Sequence, residues 1–346
     1  MVEVTSTTCL PVADDVAWIR VEEPATAGSA RRTAASLAER LGFRETRVAE
    51  IGIAVTELAT NLHKHAERGS IVVRAVRATT QAALEVVALD HGPGIANVRL
   101  ATEDGSSTTG TLGVGLGAVH RLADTVRVFS EPGRGTVVTA RFHPGRAPLP
   151  EIVDGDAAGI TRPIDGEVVC GDAYAVTRSD GRLRLMMCDG SGHGPLAAAA
   201  SQAAVRLFCE RSDDVPEHLV AQLHSELRGT RGGAVAVADL DLGAGRVRFA
   251  GLGNIAATVV SDGRKGGMVS VPGVAGYQAR SIRAFDYDLP PGAAVVLHSD
   301  GLTERWNPED RRALFAASPL VIATVLLRDA GVRKDDASVL VGKPRP

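Results

Sequence analysis

Cys188-Asp189-Gly190-Ser191-Gly192-His193-Gly194 decides how the second half of this chain folds. An apolar strand, Arg182–Asp189, ends in a carboxylate and is followed at once by glycines. That arrangement places acidic and backbone oxygens where both can face one hard cation. Three further acidic sites share the pattern. Gly171-Asp172 lies upstream, His298-Ser299-Asp300-Gly301-Leu302-Thr303-Glu304 follows, and Asp335-Asp336 stands just before a final strand. A lone Asp-Asp pair reads as solvated surface. Four carboxylates gathered from converging strand ends do not, because only metal ions offset so much like charge at close range. Two divalent ions held there lower the pKa of a bound water and clamp a phosphoryl group, with no protein nucleophile required. Hard oxygen ligands accept Mg²⁺ and Mn²⁺ alike.

Around these phrases the pattern is rich in strands. Arg182–Asp189 sets Leu183, Leu185 and Met187 against Arg182, Arg184 and Met186, as a half-buried strand does. Ala234–Leu240, Arg246–Ala250, Ile255–Val260, Ala293–His298 and Ala337–Val341 read similarly. Helices are expected at Pro195–Arg211, Pro216–Arg228 and Pro319–Arg328. Stacked sheets with flanking helices follow.

The first half has a different signature. Val48, Ile51, Val55, Leu58 and Leu62 recur at steps of three and four, predicting an amphipathic helix over Thr46–Ala66. Glu57 and Asn61, four apart, share one edge of that helix. An Asn oxygen there can ligate Mg²⁺, and a Glu can activate a hydroxyl. A second helix is expected at Ala27–Leu41, with strands at Ile71–Val76, Ala83–Leu89, Thr125–Ser130 and Thr136–Phe142. Asp90-His91-Gly92-Pro93-Gly94 puts a carboxylate at a strand end, suited to an adenine amino group. Gly110-Thr-Leu-Gly-Val-Gly-Leu-Gly117 leads four glycines into a helix, where backbone N–H groups suit a polyphosphate. Gly133-Arg-Gly-Thr136 taken alone is a hairpin turn.

Composition bounds the function. The 346 residues suffice for two domains, and 45% hydrophobic with 23% charged residues is a soluble globular balance. A net charge of −3 and 3% aromatics exclude the phosphate-neutralising and base-stacking surfaces of a nucleic-acid binder. No signal pattern or membrane-length apolar run occurs, so a cytoplasmic protein is expected. Cys9, Cys170, Cys188 and Cys209 have neither C-x-x-C nor zinc spacing and read as buried small hydrophobes in a reducing compartment. His143-Pro-Gly-Arg-Ala-Pro-Leu-Pro150 reads as a linker. The expected organisation is a first domain over 1–142, a linker over 143–158 and a second domain over 159–346.

In their order, the first-half motifs resemble the Bergerat-fold (GHKL) ATP-binding domains. They match an N box (Glu57, Asn61), a G1 box (Asp90, Gly92, Gly94), a G2 box (Gly113, Gly115, Gly117) and a G3 element (Gly133, Gly135, Thr136). Asp104-Gly-Ser-Ser107 and Arg121-Leu-Ala-Asp124 look similar to the RsbT type of serine/threonine switch kinase. That resemblance implies an α/β sandwich holding ATP with Mg²⁺. Glu57 would be the base, Asn61 the metal ligand, and Lys64, Asp90, the box glycines and Thr136 would line the nucleotide. Histidine kinases share these boxes, but the first histidine here, His63, lies inside the N box.

Residues 159–342 resemble metal-dependent phosphatases of the PPM class in their SpoIIE branch. The resemblance rests on Arg162-Pro-Ile-Asp-Gly-Glu-Val-Val-Cys-Gly-Asp172, on Asp189–Gly194, on Asp300–Glu304 and on Asp335-Asp-Ala-Ser338. It implies that Asp189 bridges two Mn²⁺ or Mg²⁺ ions, that the Gly190 carbonyl contributes to one, and that Asp172, Asp300 and Asp335 complete the shells. Gly251-Leu-Gly-Asn-Ile255 looks RsbX-like. Gly171 stands where some relatives carry a second acidic ligand. Arg162 either orients a substrate phosphate or is a surface arginine, and His193 either donates a proton or shapes its loop.

The expected whole is a two-domain α+β protein. It would be a bifunctional switch enzyme, phosphorylating Ser or Thr on a STAS-domain partner and removing the phosphate again. In the alternative, the first domain is an ATP-gated module that binds a sigma factor or other regulator, and only the phosphatase is catalytic.

Overall fold

A computed structural model describes residues 8–10, 13–77, 82–102, 115–145, 155–179, 181–211, 214–332 and 334–343. The chain divides into two compact units, one within 13–153 and one built mainly from 154–346.

In the first unit, five antiparallel strands run in the order Ala13–Val21, Gly69–Arg77, Ala82–Leu89, Gly135–Phe142, Thr125–Glu131. Helices Ala25–Arg40 and Glu45–His65 pack on this sheet. The apolar stripe of the second helix explains the layer: Ile51, Val55, Leu58 and Leu62 are buried against Ile71, Val73, Leu84, Val86 and Phe142. Each such side chain contributes about 1.5–3 kcal/mol relative to exposure. A buried charge cluster closes one end. Arg47 donates to Leu122 O (2.6 Å), His143 O (3.3 Å) and Glu50 (2.7 Å), and pairs with Asp124, which also accepts the His143 N–H (2.6 Å).

The second unit is a sandwich of two antiparallel sheets. One has six strands, in the order Thr8–Leu10, Asp172–Ser179, Arg182–Gly190, Gly233–Asp241, Arg246–Leu252, Ala284–Asp288. The other has five, in the order Arg264–Met268, Ala256–Ser261, Ala294–His298, Ala337–Gly342, Ala157–Arg162. Leu183, Leu185 and Met187 meet Ala257, Val295, Leu297 and Leu340 between the sheets. Helices Pro195–Glu210 and Pro216–Glu226 cover the outer face of the larger sheet, over Met186, Cys188, Val235 and Val237. Strand Arg182–Gly190 is therefore buried on both faces, not half-buried as its alternation predicts. Arg184 is also inside, paired with Asp239 at 3.3 Å.

Two expectations need correction. Strand Thr8–Leu10 pairs with Asp172–Ser179, so the start of the chain lies on the second unit's sheet instead of in the first domain. Cys9 and Cys209 are joined as a disulfide with Cα atoms 5.5 Å apart, which tethers that strand to helix Pro195–Glu210. The cysteine spacing concealed this because 200 residues separate the partners. Of the other two, Cys188 is buried as expected and Cys170 is half-buried. The expected linker is structured at both ends, with His143 buried and Ala157–Arg162 a strand; residues 146–154 lie outside the described set.

Candidate active sites

In the first unit, Glu57 and Asn61 lie on the half-buried edge of helix Glu45–His65. The Asn61 amide faces Gly115, the first residue of helix Gly115–Leu122, whose Cβ would stand 3.7 Å from Asn61 Oδ1. Asn61 thus meets the helix that begins where the glycine-rich run ends. Gly117 is buried in the same helix; Gly113 lies outside the described residues. Asp90 is buried at the end of strand Ala82–Leu89, and its Oδ1 accepts the Gly92 N–H at 2.7 Å. Its backbone N–H donates to Thr136 O at 3.0 Å. The Thr136 hydroxyl is 2.9 Å from Ser130 Oγ, which accepts the Ile95 N–H at 2.7 Å. Gly135 must be glycine, since a Cβ there would stand 2.0 Å from Asp90 O. Gly94, similarly packed, lies against Glu131 O. The G1 and G3 elements therefore form one interlocked corner beside the N-box helix. Lys64 is exposed at the end of that helix.

The donor set fits a nucleotide: a buried carboxylate for a base, an amide oxygen for a cation, and the start of a helix for phosphate. Ser130 escaped the sequence reading, because a serine inside a strand carries no signal until its partner across the hairpin is known.

In the second unit, antiparallel register sets Asp172 directly opposite Asp189. Like charges in that arrangement destabilise a sheet. Burial first, then the charges of Asp172, Asp300 and Asp335, push the Asp189 carboxyl up to about 9. Burial raises Asp172 to about 7, and the nearby Ser299 and Ser338 hydroxyls hold that rise down only in part. Both Asp172 carboxylate oxygens are buried, and among the described residues neither has a partner in hydrogen-bonding geometry. Burial and the Asp335 charge also raise Asp300, whose Oδ2 accepts from Asn254 Nδ2 at 2.7 Å.

The Asp335-Asp336 pair divides its work. Asp336 is buried and accepts the Ile164 N–H (2.7 Å) and the Gly171 N–H (2.8 Å), so it clamps the segment leading to Asp172. Asp335 is exposed, and its charge acts on Asp189 and Asp300. Close approach joins the loops: a Cβ on Gly301 would stand 1.9 Å from Asp336 O. Gly190 is buried, and its N–H donates to Gly171 O at 3.2 Å.

Among the described residues no three Asp, Glu, His or Cys side chains form a closed metal cage. Even so, the residues fit divalent cations: buried carboxylate oxygens without good hydrogen bonds and acids lifted by burial and by one another's charge lack what a hard cation supplies.

Two candidates resolve differently. Arg162 Nη2 donates to Val332 O at 2.7 Å, an anchoring contact. His193 Nδ1 lies 2.9 Å from Glu167 Oε1. Glu167, Asn254, Ser299 and Ser338 were not given roles from sequence, and Asp336 was noted only as the neighbour of Asp335. For Asn254 the flanking Gly251–Ile255 phrase was a signal; the others are recognisable only once their neighbours are placed.

Comparisons with known proteins agree with both halves. Residues 21–142 match the "Histidine kinase-like ATPase domain" family, and residues 179–344 match "Stage II sporulation protein E (SpoIIE)". Serine/threonine-protein kinase RsbT of Bacillus subtilis (strain 168) is 39% identical over 112 residues, which span 32% of this chain and 84% of that protein. A solved chain described under "The bacterial stressosome: a modular system that has been adapted to control secondary messenger signaling" is 30% identical. It aligns with 54% of this chain and 97% of its own, with a TM-score of 0.51. RsbX in complex with magnesium is 19% identical over 54% of this chain and 94% of its own, with a TM-score of 0.47. The chain belongs to the RsbT serine/threonine-protein kinase family through its first half, and its second half matches the SpoIIE family model.

Proposed function

We propose that this chain is a switch enzyme that sets the phosphorylation state of one regulatory partner from both directions. The observation that carries this reading is that each half keeps the groups its chemistry needs. Asn61 sits where helix Gly115–Leu122 begins, with Glu57 one turn before it on the same helix edge, and the charges of Asp172, Asp300 and Asp335 all act on Asp189.

In the kinase half, Asp90 would hold the adenine, Asn61 would hold the Mg²⁺ that accompanies ATP, and Lys64 with the N-terminal end of helix Gly115–Leu122 would bind phosphate. Glu57 takes the proton from the acceptor hydroxyl. In the phosphatase half, Asp189 together with Asp172, Asp300, Asp335 and the Gly190 carbonyl would hold two Mn²⁺ or Mg²⁺ ions. When bound, those ions supply an activated water and charge neutralisation at the phosphoryl group. Asp336 and Asn254 keep the ligand carboxylates in place.

The relatives support a partner class. An RsbT-like kinase domain and a stressosome-related chain point to a STAS-domain regulator bearing Ser or Thr, and through it to a sigma factor or other downstream regulator. Use of ATP supports a cytoplasmic protein, against which the Cys9–Cys209 disulfide weighs; no helix among the described residues is long and apolar enough to cross a membrane. Fusion gives both catalysts a high effective concentration at the same partner.

Transfer of γ-labelled phosphate from ATP to a STAS-domain protein tests the reading. Label should accumulate with Asp189→Ala, stay low with the parent chain and vanish with Asn61→Ala. If ATP binds and Asp189→Ala still labels nothing, the kinase half has lost its role on that partner.

A further inference from the structure

Beside the carboxylates of the second unit, one exposed arginine has a rigid mount and, among the described residues, no partner. Arg231 lies in the turn between helix Pro216–Glu226 and strand Gly233–Asp241. The turn is pinned from every side. Thr230 Oγ1 donates to Leu227 O (2.7 Å) and accepts the Gly232 N–H (2.9 Å). The Tyr277 hydroxyl donates to Thr230 O (3.0 Å), and Gly232 O accepts the Ser191 N–H (2.9 Å). Gly233 exchanges backbone hydrogen bonds with Ala275, at 3.1 and 2.8 Å. A solvated connection needs no such bracing. A side chain that must be presented in one place does, because a fixed base reduces the freedom lost when the side chain engages its ligand.

The mount also aims it. Arg231 Nη1 lies 3.0 Å from where a Cβ on Gly192 would stand, against the loop that leaves Asp189. The Gly192 carbonyl in turn lies 3.3 Å from the Cβ position of Gly171, which precedes Asp172. Register carries the same message: Ala234 is opposite Asp189 and Gly233 opposite Gly190, so Arg231 leaves the sheet at the edge that bears the carboxylates. Yet its guanidinium forms no hydrogen bond or ion pair with any described residue. A cation held at the rim of an acidic site, but paired with none of its acids, remains available to an incoming anion. Arg162, the alternative suggested by sequence, has instead committed Nη2 to Val332 O.

We propose that Arg231 is the residue that binds the phosphoryl group of the substrate. The planar guanidinium offers two parallel N–H donors to phosphate oxygens. The inference rests on reading the second unit as a phosphatase, and the experiment separates the two. Arg231→Gln, Arg231→Lys, Arg162→Gln and Asp189→Asn are compared with the parent chain. The readouts are hydrolysis of p-nitrophenyl phosphate, inhibition by inorganic phosphate and Mn²⁺ affinity by calorimetry. Arg231→Gln should raise the phosphate inhibition constant about tenfold or more, as expected for losing hydrogen bonds to a charged group. Arg231→Lys should recover part of that loss, and Mn²⁺ affinity should not move. If Asp189→Asn abolishes hydrolysis while Arg231→Gln and Arg231→Lys leave phosphate inhibition unchanged, the arginine assignment is overturned and the phosphatase reading stands. Weaker phosphate inhibition in Arg162→Gln alone overturns it as well. If Asp189→Asn hydrolyses normally, the phosphatase reading is what fails.

Discussion

The two phosphate sites in this chain handle charge in opposite ways. Among the described residues, Glu57 beside Asn61 is half-exposed, and the buried carboxylate Asp90 has a backbone N–H on it at 2.7 Å. Around Asp189 the carboxylates of Asp172, Asp300 and Asp335 crowd together, and among the described residues neither buried Asp172 oxygen has a hydrogen bond of good geometry. The contrast follows from the source of the cation. ATP carries its Mg²⁺ in with its own negative charge, so a site for it needs few acids. A phosphatase that binds metal ahead of substrate must hold the ions itself, and its metal-free form is electrostatically unfinished.

The largest effect that sharpens this comparison is expected at Asp189. Asp189→Asn should lower p-nitrophenyl phosphate hydrolysis by about 10²–10³-fold, the scale of losing a principal electrostatic stabiliser, and leave ATP binding unchanged. Retained hydrolysis would remove the reason for the carboxylate cluster. On the other side, Glu57→Ala should cut phosphate transfer by about 10²-fold or more, a typical loss for a general base, while ATP affinity holds. Unchanged transfer would remove Glu57 as the base.

A third test uses pH. Asp172 and Asp189 are lifted from 3.8 to about 7 and about 9, chiefly by burial. The metal-free folded state therefore keeps protons that the unfolded chain releases, and the associated stabilisation is complete below the unfolded value. It is lost as pH rises from about 4 through 7 and 9. Metal ions displace those protons, so apparent Mn²⁺ affinity should rise over the same interval. At one fixed Mn²⁺ concentration the thermal shift should be larger at pH 8.5 than at pH 6, the stabilisation reaching about 2.7 kcal/mol where that concentration is a hundredfold over Kd. A pH-independent shift would mean these acids do not take up metal. The smallest effect is expected from Asn254→Leu, which frees Asp300 Oδ2. Loss of an outer hydrogen bond to a ligand costs about 10–100-fold in metal affinity, which calorimetry would read. Unaltered affinity would show that Asp300 needs no such support.

Much of this was legible in one dimension because the decisive residues come in short phrases. The stripe from Val48 to Leu62 gave its helix, observed as Glu45–His65, and Asp189-Gly190 ended its strand as expected. Illegible parts depend on partners far along the chain. Ala13–Val21 begins with Ala-Asp-Asp and shows no clean alternation, but strand Gly69–Arg77 makes it one, with Arg74 set against Asp15 at 3.0 Å. Met186 looked like part of an outer face until helices Pro195–Glu210 and Pro216–Glu226 covered it.

By itself the sequence determined the two chemistries, since carboxylates at strand ends and glycines before a helix are local patterns with local physical causes. Tertiary structure decided the division of labour among similar residues. It alone turned Asp336 inward onto two N–H groups and left Asp335 outside, joined Cys9 to Cys209, tied Arg162 to Val332, and left Arg231 unpaired beside Gly192. Those choices depend on which atoms arrive within about 3 Å of one another, and contacts between residues distant in the chain are not written in the neighbours of either one.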